Sequence, residues 1–450
     1  MKYKAYTLQN YRQISAMGKL SKERIFAIET VGGVLPFKTN NYVTEKLIDW
    51  DNYENDPMFI LNFPQKDMLK PTHFKAYAAA LSGGEEKAQL KKISNNIREQ
   101  LNPHPAGQVD LNVPEMNGRK LMGIQHKYKE TVLFFPAQGQ TCHAYCTFCF
   151  RWPQFGGANQ LKFAMKQADL LVNYVKENKG VTDVLLTGGD PMTMPAKFLK
   201  TYVDALLDAN IDHLNTIRIG TKSLSFWPYR YLTDGDSDAI LEIFESITKK
   251  GKHLSLMAHI NHPVELSTPE IKQAIARIQA TGAVIRTQSP LLKHINAKPE
   301  IWTDMWKTQV NLGIVPYYMF VARETGAQHY FAIPLGEASE IFRQAYSKVS
   351  GICRTVRGPS MSANPGKVQV NGISEINGEK VFILEFIQAR KSAWVGRPFI
   401  AKYDEDATWL NQLKPAFSQH KFFFEKEFEK MLASAETHRN KSDSVLSYSS

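Results

Sequence analysis

The sequence predicts an α/β fold: a partial (β/α)6 TIM-like barrel with a helical N-terminal extension and a small α+β region at the C-terminus. Three observations carry that reading. Between residues 131 and 320, short β-branched and aliphatic runs alternate six times with longer helix-compatible stretches, the rhythm of a parallel sheet covered by helices. Polar and glycine-rich clusters fall just past the strand ends, in Thr187-Gly-Gly-Asp, His259-Ile-Asn-His and Gln288-Ser, where βα barrels place their chemistry. The first 110 residues instead read as mostly helical.

Ser21-Lys-Glu-Arg opens a helix, and Phe74-Lys-Ala-Tyr-Ala-Ala-Ala-Leu is part of another that Ser82-Gly-Gly ends. A charged helical run covers Glu86 to Gln100, and Asn102-Pro-His-Pro-Ala-Gly reads as a linker. Thr131-Val-Leu-Phe-Phe is the first buried strand. The next five are Val181 to Thr187, Thr216 to Gly220, His253 to His259, Ala283 to Ser289 and Ile314 to Phe320. Helices are expected between them at Leu161 to Asn178, Pro195 to Asp208, Asp236 to Lys250, Thr268 to Ala280 and Pro299 to Asn311. No seventh or eighth unit stands out. Ala338 to Ser347 reads as a helix, and strands over 368–372 and 380–389 flank the turn Asn377-Gly-Glu. Helix-rich sequence over 408–434 is expected to pack back on the body. The division is then 1–110 helical, 111–335 barrel, 336–434 closing the site, and 435–450 a Ser-rich disordered tail.

The chain has 450 residues, 43% hydrophobic and 22% charged, ordinary for a soluble globular protein. No stretch approaches the roughly 20 apolar residues of a membrane span. The start, Met-Lys-Tyr-Lys-Ala-Tyr-Thr-Leu-Gln, has no apolar signal core. Thiols clustered without a disulfide framework point to a reducing, cytoplasmic compartment. The formal charge of +11 comes without a Lys/Arg block, a zinc finger or a single-strand-binding motif, so a basic surface is favoured over nucleic acid as partner.

Three of the four cysteines, Cys142, Cys146 and Cys149, lie within eight residues, in Cys-His-Ala-Tyr-Cys-Thr-Phe-Cys. Three thiolates hold three irons of a [4Fe–4S] cube and leave the fourth iron open to S-adenosylmethionine. A structural zinc site needs a fourth ligand at regular spacing, and His143 is poorly placed to be one. Cys353 is remote and reads as a small buried residue. Gly188, Gly189 and Asp190 follow a strand, where glycines let the backbone approach a ligand or simply make a tight turn.

This cysteine motif followed by Thr-Gly-Gly-Asp-Pro resembles the radical S-adenosylmethionine superfamily. Further motifs resemble the lysine 2,3-aminomutase family: His126-Lys-Tyr, Arg218-Ile-Gly-Thr-Lys, His259-Ile-Asn-His-Pro-Val-Glu-Leu, Thr287-Gln-Ser-Pro-Leu-Leu and Val315-Pro-Tyr-Tyr. The similarity runs from about residue 100 to 390. It implies an isomerase that uses a [4Fe–4S] cluster, S-adenosylmethionine and pyridoxal 5′-phosphate to move an amino group between adjacent carbons. It also implies a reducing partner such as flavodoxin or ferredoxin, and a homo-oligomer.

The resemblance further implies that Gly188, Gly189, Asp190, His259 and Gln288 contact S-adenosylmethionine, that Arg151 binds a substrate carboxylate, and that Lys367 in Ala363-Asn-Pro-Gly-Lys-Val carries pyridoxal phosphate. The family's arginine for the cofactor phosphate falls near Thr131, with Lys129 or another residue to compensate. The family's aspartate for a lysine side-chain ammonium falls near Arg323, beside Glu324, and a second such aspartate is replaced around Ser362 to Asn364. Cation for anion reverses the favoured substrate charge, so a carboxylate-bearing amine other than free L-lysine is expected. The alternatives are a rearrangement, epimerisation or modification of a small molecule or peptide without pyridoxal phosphate, and a non-enzymatic cluster-bearing protein.

Overall fold

A computed structural model of the chain describes residues 1–102, 111–153 and 163–434. Short pairs open the chain, β1 (Ala5–Tyr6) with β2 (Thr39–Asn40), and β3 (Glu115–Met116) with β4 (Arg119–Lys120). The main sheet has eleven strands in chain order: β5 (Ile124–Tyr128), β6 (Thr131–Phe134), β7 (Asp183–Leu186), β8 (Thr216–Thr221), β9 (His253–His259), β10 (Val284–Leu291), β11 (Val315–Val321), β12 (Arg357–Ser362), β13 (Gly366–Ile376), β14 (Glu379–Ala389) and β15 (Pro398–Lys402). Strands β6 to β12 pair in parallel; β5 at one edge and β13 to β15 at the other are antiparallel. The result is a mixed α/β protein built on one large sheet.

Period-two alternation explains which face is covered. Val184 and Leu186, Ile217 and Ile219, and Leu254 and Leu256 point one way from successive strands and are fully buried. They share an apolar core with Leu199 and Val203, Ile240 and Phe244, and Ile271 and Ile275 from the intervening helices. The opposite face carries Asp183, Arg218, His253, Arg286 and Gln288 at the alternate positions. The charged side chains thus gather on the side the helices leave free.

All six expected parallel strands are present, and there is a seventh. Strand β12 follows the helix Leu335–Ser347 and pairs in parallel with β11. Its sequence, Arg-Gly-Pro-Ser-Met-Ser, hides it, because Gly358 and Pro359 are poor strand formers. The helix expected from Leu161 starts only at Ala168. Met165 is drawn to the sheet instead, donating to the Phe135 carbonyl at 2.9 Å and accepting from Ala137 N at 3.0 Å. Ser21 caps the helix Lys22–Val34 by accepting from Arg24 N, and Gly83 caps Pro71–Ser82. The hairpin of β13 and β14 turns on Asn377 and Gly378, both at positive φ (53° and 76°), as its two-residue loop requires.

The 408–434 segment is less helical than expected. Only a single turn at Leu410–Gln412 and a helix from 425 are regular. Aromatic burial substitutes for helix periodicity: Trp409, Phe422 and Phe424 pack with Phe386 and Phe399 of β14 and β15. Most of the expected linker after Asn102, and the expected disordered tail over 435–450, lie outside the described residues. Among the described residues no helix is long and apolar enough to cross a membrane.

Candidate active site

The cysteine loop follows β6 and is held from the N-terminal region. Lys38 Nζ donates to the Cys142 carbonyl at 2.7 Å. Tyr3 Oη and Asn40 Nδ2 both donate to the His143 carbonyl, at 2.7 and 3.2 Å. Tyr145 N donates to the Lys38 carbonyl, and Thr147 N to that of Leu61. Within the loop, Cys149 N donates to the Cys146 carbonyl at 3.0 Å. His143 lies beside Cys142 but turns away: its Nδ1 meets Ser223 Oγ at 2.9 Å, and burial pushes its pKa down to about 3. Burial raises all three thiol pKa values, and a metal that binds them must displace their protons. Among the described residues no three His, Cys, Asp or Glu side chains converge on a single-ion centre. In a cube each thiolate takes a different iron, so its sulfurs stand wider than around one ion.

The loop after β7 packs directly on this one. A Cβ on Gly189 would lie 2.5 Å from Thr141 N and O, and one on Gly188, at φ 141°, would lie 2.4 Å from Gln140 Nε2. Both glycines are needed for that approach. Asp190 holds the loop rather than facing outward. Its carboxylate is buried and accepts from Met192 N, Lys222 N and Ser223 N at 2.9, 2.8 and 3.0 Å, and from the hydroxyls of Thr221 and Ser223. Its amide donates to the Gly139 carbonyl.

His259 and Gln288 end adjacent strands, β9 and β10, in matching register. Both line a cavity of about 820 Å³, open mouth included, together with Phe148, Phe150, Phe320, Arg323, Gln328 and Ser362. His259 stacks on Phe148 at 5.6 Å, and burial together with nearby Lys222 lowers its pKa to about 3, so it is neutral. No Asp or Glu is among the described residues that line this cavity.

Cations gather here without counter-ions. Arg323 and Arg151 lie over the Phe150 ring at 4.9 and 5.1 Å. Burial and the nearby Arg323 push the Arg151 pKa down to about 10, and burial lowers that of Arg323. Neither pairs with a carboxylate among the described residues. Glu324 turns outward, accepting from Asn411 Nδ2 at 3.0 Å. Lys367, near the start of β13, lies 4.0 Å over the Tyr318 ring. Its pKa falls to about 7 through burial and the charges of Arg218 and Arg357. Lys127 on β5 lies near Arg323, Arg390 and Lys367, with its pKa pushed far down by burial, and donates to the Ala363 carbonyl.

Comparison with known proteins follows the same line. A protein of Aquifex aeolicus provisionally named L-lysine 2,3-aminomutase is 29% identical over 404 residues, 90% of this chain and 94% of that one. The L-lysine 2,3-aminomutase of Methanococcus maripaludis is 28% identical over 233 residues, 51% of this chain and 50% of that one. The glutamate 2,3-aminomutase of Clostridioides difficile is 26% identical over 213 residues, 47% of each chain. The chain thus spans about half the length of the last two. The chain thus resembles lysine 2,3-aminomutases along most of its length. No family model matches it. A radical S-adenosylmethionine methyltransferase from Sphaerobacter thermophilus superposes with a TM-score of 0.38 and 13% identity over 63% of this chain and 93% of that one, too loose a likeness to carry an argument.

Against the family pattern, sequence reasoning missed three things. Lys129 is exposed just past β5, and the half-buried cation within that strand is Lys127; period-two alternation from the apolar Ile124 does not mark it. The clamp from Tyr3, Lys38 and Asn40 joins residues more than 100 positions apart and leaves no local signal. Lys222, the last residue of Arg218-Ile-Gly-Thr-Lys, was read only as part of a motif, and it is buried in an ion pair with Glu265.

Proposed function

We propose that the protein is a 2,3-aminomutase for an amine that bears a second carboxylate, glutamate-like in charge, rather than for free L-lysine. One observation carries this: Arg151 and Arg323 flank one aromatic ring at a cavity with no acidic lining among the described residues. A half-buried guanidinium is stabilised when a carboxylate completes it, and a second ammonium there would face two guanidinium groups. The similarity to a glutamate 2,3-aminomutase agrees with that charge.

When bound, a [4Fe–4S] cluster with S-adenosylmethionine supplies a 5′-deoxyadenosyl radical, and pyridoxal phosphate supplies a carrier for the migrating nitrogen. Cys142, Cys146 and Cys149 are assigned to the cluster. The backbone around Gly188 and Gly189, with His259 and Gln288, is assigned to S-adenosylmethionine, and Asp190 holds that loop in place. Lys367 fits pyridoxal phosphate because its amine is available uncharged near neutral pH and accepts no competing partner among the described residues. Arg390 supplies positive charge for a phosphate, beside Lys127. Arg151 and Arg323 orient the substrate, and Phe148, Phe150, Phe320 and Phe331 keep water from the reacting carbon. In this reading the parallel strands form a partial barrel, with residues 336–434 closing its side.

The test is anaerobic reconstitution followed by a panel of L-glutamate, L-aspartate, L-lysine and monocarboxylate amino acids, with and without pyridoxal phosphate. Adenosyl product and 3-amino isomer are measured together. Turnover of a dicarboxylate, dependent on pyridoxal phosphate, is expected. Turnover of L-lysine alone would overturn the proposal, and turnover indifferent to pyridoxal phosphate would return the protein to the rearrangement class without that cofactor.

A further inference from the structure

Behind His259 lies a closed polar network that the proposed reaction does not use. Glu265 is fully buried. Its Oε1 accepts from the amides of Asn261 and His262 at 2.7 and 3.0 Å, and its Oε2 meets Lys222 Nζ at 2.5 Å. The other two ammonium hydrogens of Lys222 go to Asn261 Oδ1 at 2.9 Å and to the His259 carbonyl at 3.1 Å. Asn261 is itself fully buried, and its Nδ2 donates to Ser289 Oγ at 2.8 Å. The amide orientation is therefore decided: an ammonium can face only the oxygen of Asn261, never its NH2. His259 Nδ1 lies 3.3 Å from that same oxygen. An oxygen with no hydrogen can only accept, so Nδ1 must carry the proton.

We propose that Lys222 and Asn261 are positioning residues that lock His259 as the Nδ1–H tautomer and present its Nε2 to the cavity as an acceptor for a ligand hydroxyl or N–H group. Nε2 has no protein partner among the described residues, and His259 lines the cavity. The ring is neutral, so this edge selects a donor and offers nothing to a carboxylate or phosphate, the complement of Arg323 in the same cavity. The assignment holds whatever amine the cavity takes, and its failure would leave the substrate proposal untouched.

The experiment is long-range 1H–15N correlation on histidine-labelled protein, with the His259 signals among the chain's 12 histidines identified by their loss in His259→Gln. The expected pattern is protonated Nδ1 and bare Nε2. Asn261→Leu should shift the ring to the Nε2–H form. The paired change Lys222→Met with Glu265→Gln, which avoids stranding a buried charge, should give a mixture of tautomers. S-adenosylmethionine binding to the reconstituted protein should weaken about tenfold in Asn261→Leu, the value of one hydrogen bond. An Nε2–H pattern at the assigned His259 of the wild-type protein refutes the proposal, even if Asn261→Leu and the paired variant fail to fold. So does an unchanged tautomer in Asn261→Leu, or a shifted tautomer with unchanged binding.

Discussion

Replacing Gly189 by alanine would set a methyl carbon 2.5 Å from both the amide nitrogen and the carbonyl oxygen of Thr141, and 2.8 Å from the carbonyl carbon of Gln140. Ordinary contact begins at 3.4 Å, so the two backbones must part by about 0.9 Å. No flexible side-chain end is available to yield, and Thr141 is the residue before Cys142. Overpacking of this kind costs about 1–3 kcal/mol. In a chain of this length that is only about 1–3 °C in Tm, since unfolding entropy scales at about 2.1 cal/mol/K per residue. Thermal melting is thus the insensitive assay and iron is the sensitive one. A shift of a ligand's support typically costs about 10–100-fold in metal affinity. Iron and acid-labile sulfide retained against a chelator after anaerobic reconstitution should fall at least tenfold in Gly189→Ala. Gly372→Ala is the control, because nothing lies within 4 Å of its added Cβ. If the two variants retain iron equally, the account of the two loops as one packed unit is wrong.

Three other changes test separate parts of the site. Lys367→Met should abolish borohydride trapping of pyridoxal phosphate and also change the pH dependence of stability. The Lys367 pKa falls from 10.5 to about 7 on folding, so the unfolded chain binds more protons between those values and the wild type gains stability as pH rises through that window. The advantage of Lys367→Met in urea midpoint should therefore be largest below about pH 7 and shrink towards pH 10.5; a constant advantage would refute the buried-amine assignment. Arg323→Gln should raise KM for a dicarboxylate about 10–100-fold, the worth of a charged hydrogen bond, and leave monocarboxylate turnover unchanged. Asn40→Leu removes donors to the His143 and Phe226 carbonyls and should cost about 1–3 kcal/mol in urea unfolding, with faster loss of iron from the folded protein.

The parts of this molecule legible in the sequence are those whose cause is local. The strands β6 to β11 were visible because each is an apolar run bounded by turn residues, and Asn377-Gly378 marked its hairpin because few other pairs tolerate two positive φ values. Strand β12 was hidden because its pairing with β11, not its own composition, makes it a strand. The cysteines announce themselves by spacing. The glycines at 188 and 189 also announced themselves, but their neighbour Asp190 did not reveal its role, since its six hydrogen-bond contacts come from residues 192, 221, 222 and 223. Glu324 beside Arg323 could be located, but its hydrogen bond comes from Asn411, far along the chain.

The shared apolar cluster of the N-terminal region has a practical consequence. Ile28, Val31, Phe59 and Phe63 lie in one core with Ala144 and Trp152 of the cysteine loop and with Trp227 and Leu292 beyond it. An excised fragment starting near residue 111 would expose that oily seam and forfeit the grip of Lys38 and Asn40 on the loop. Its thiols would answer to oxidants before they met iron, so library design, domain fusion or crystallisation trimming should begin upstream of Tyr3.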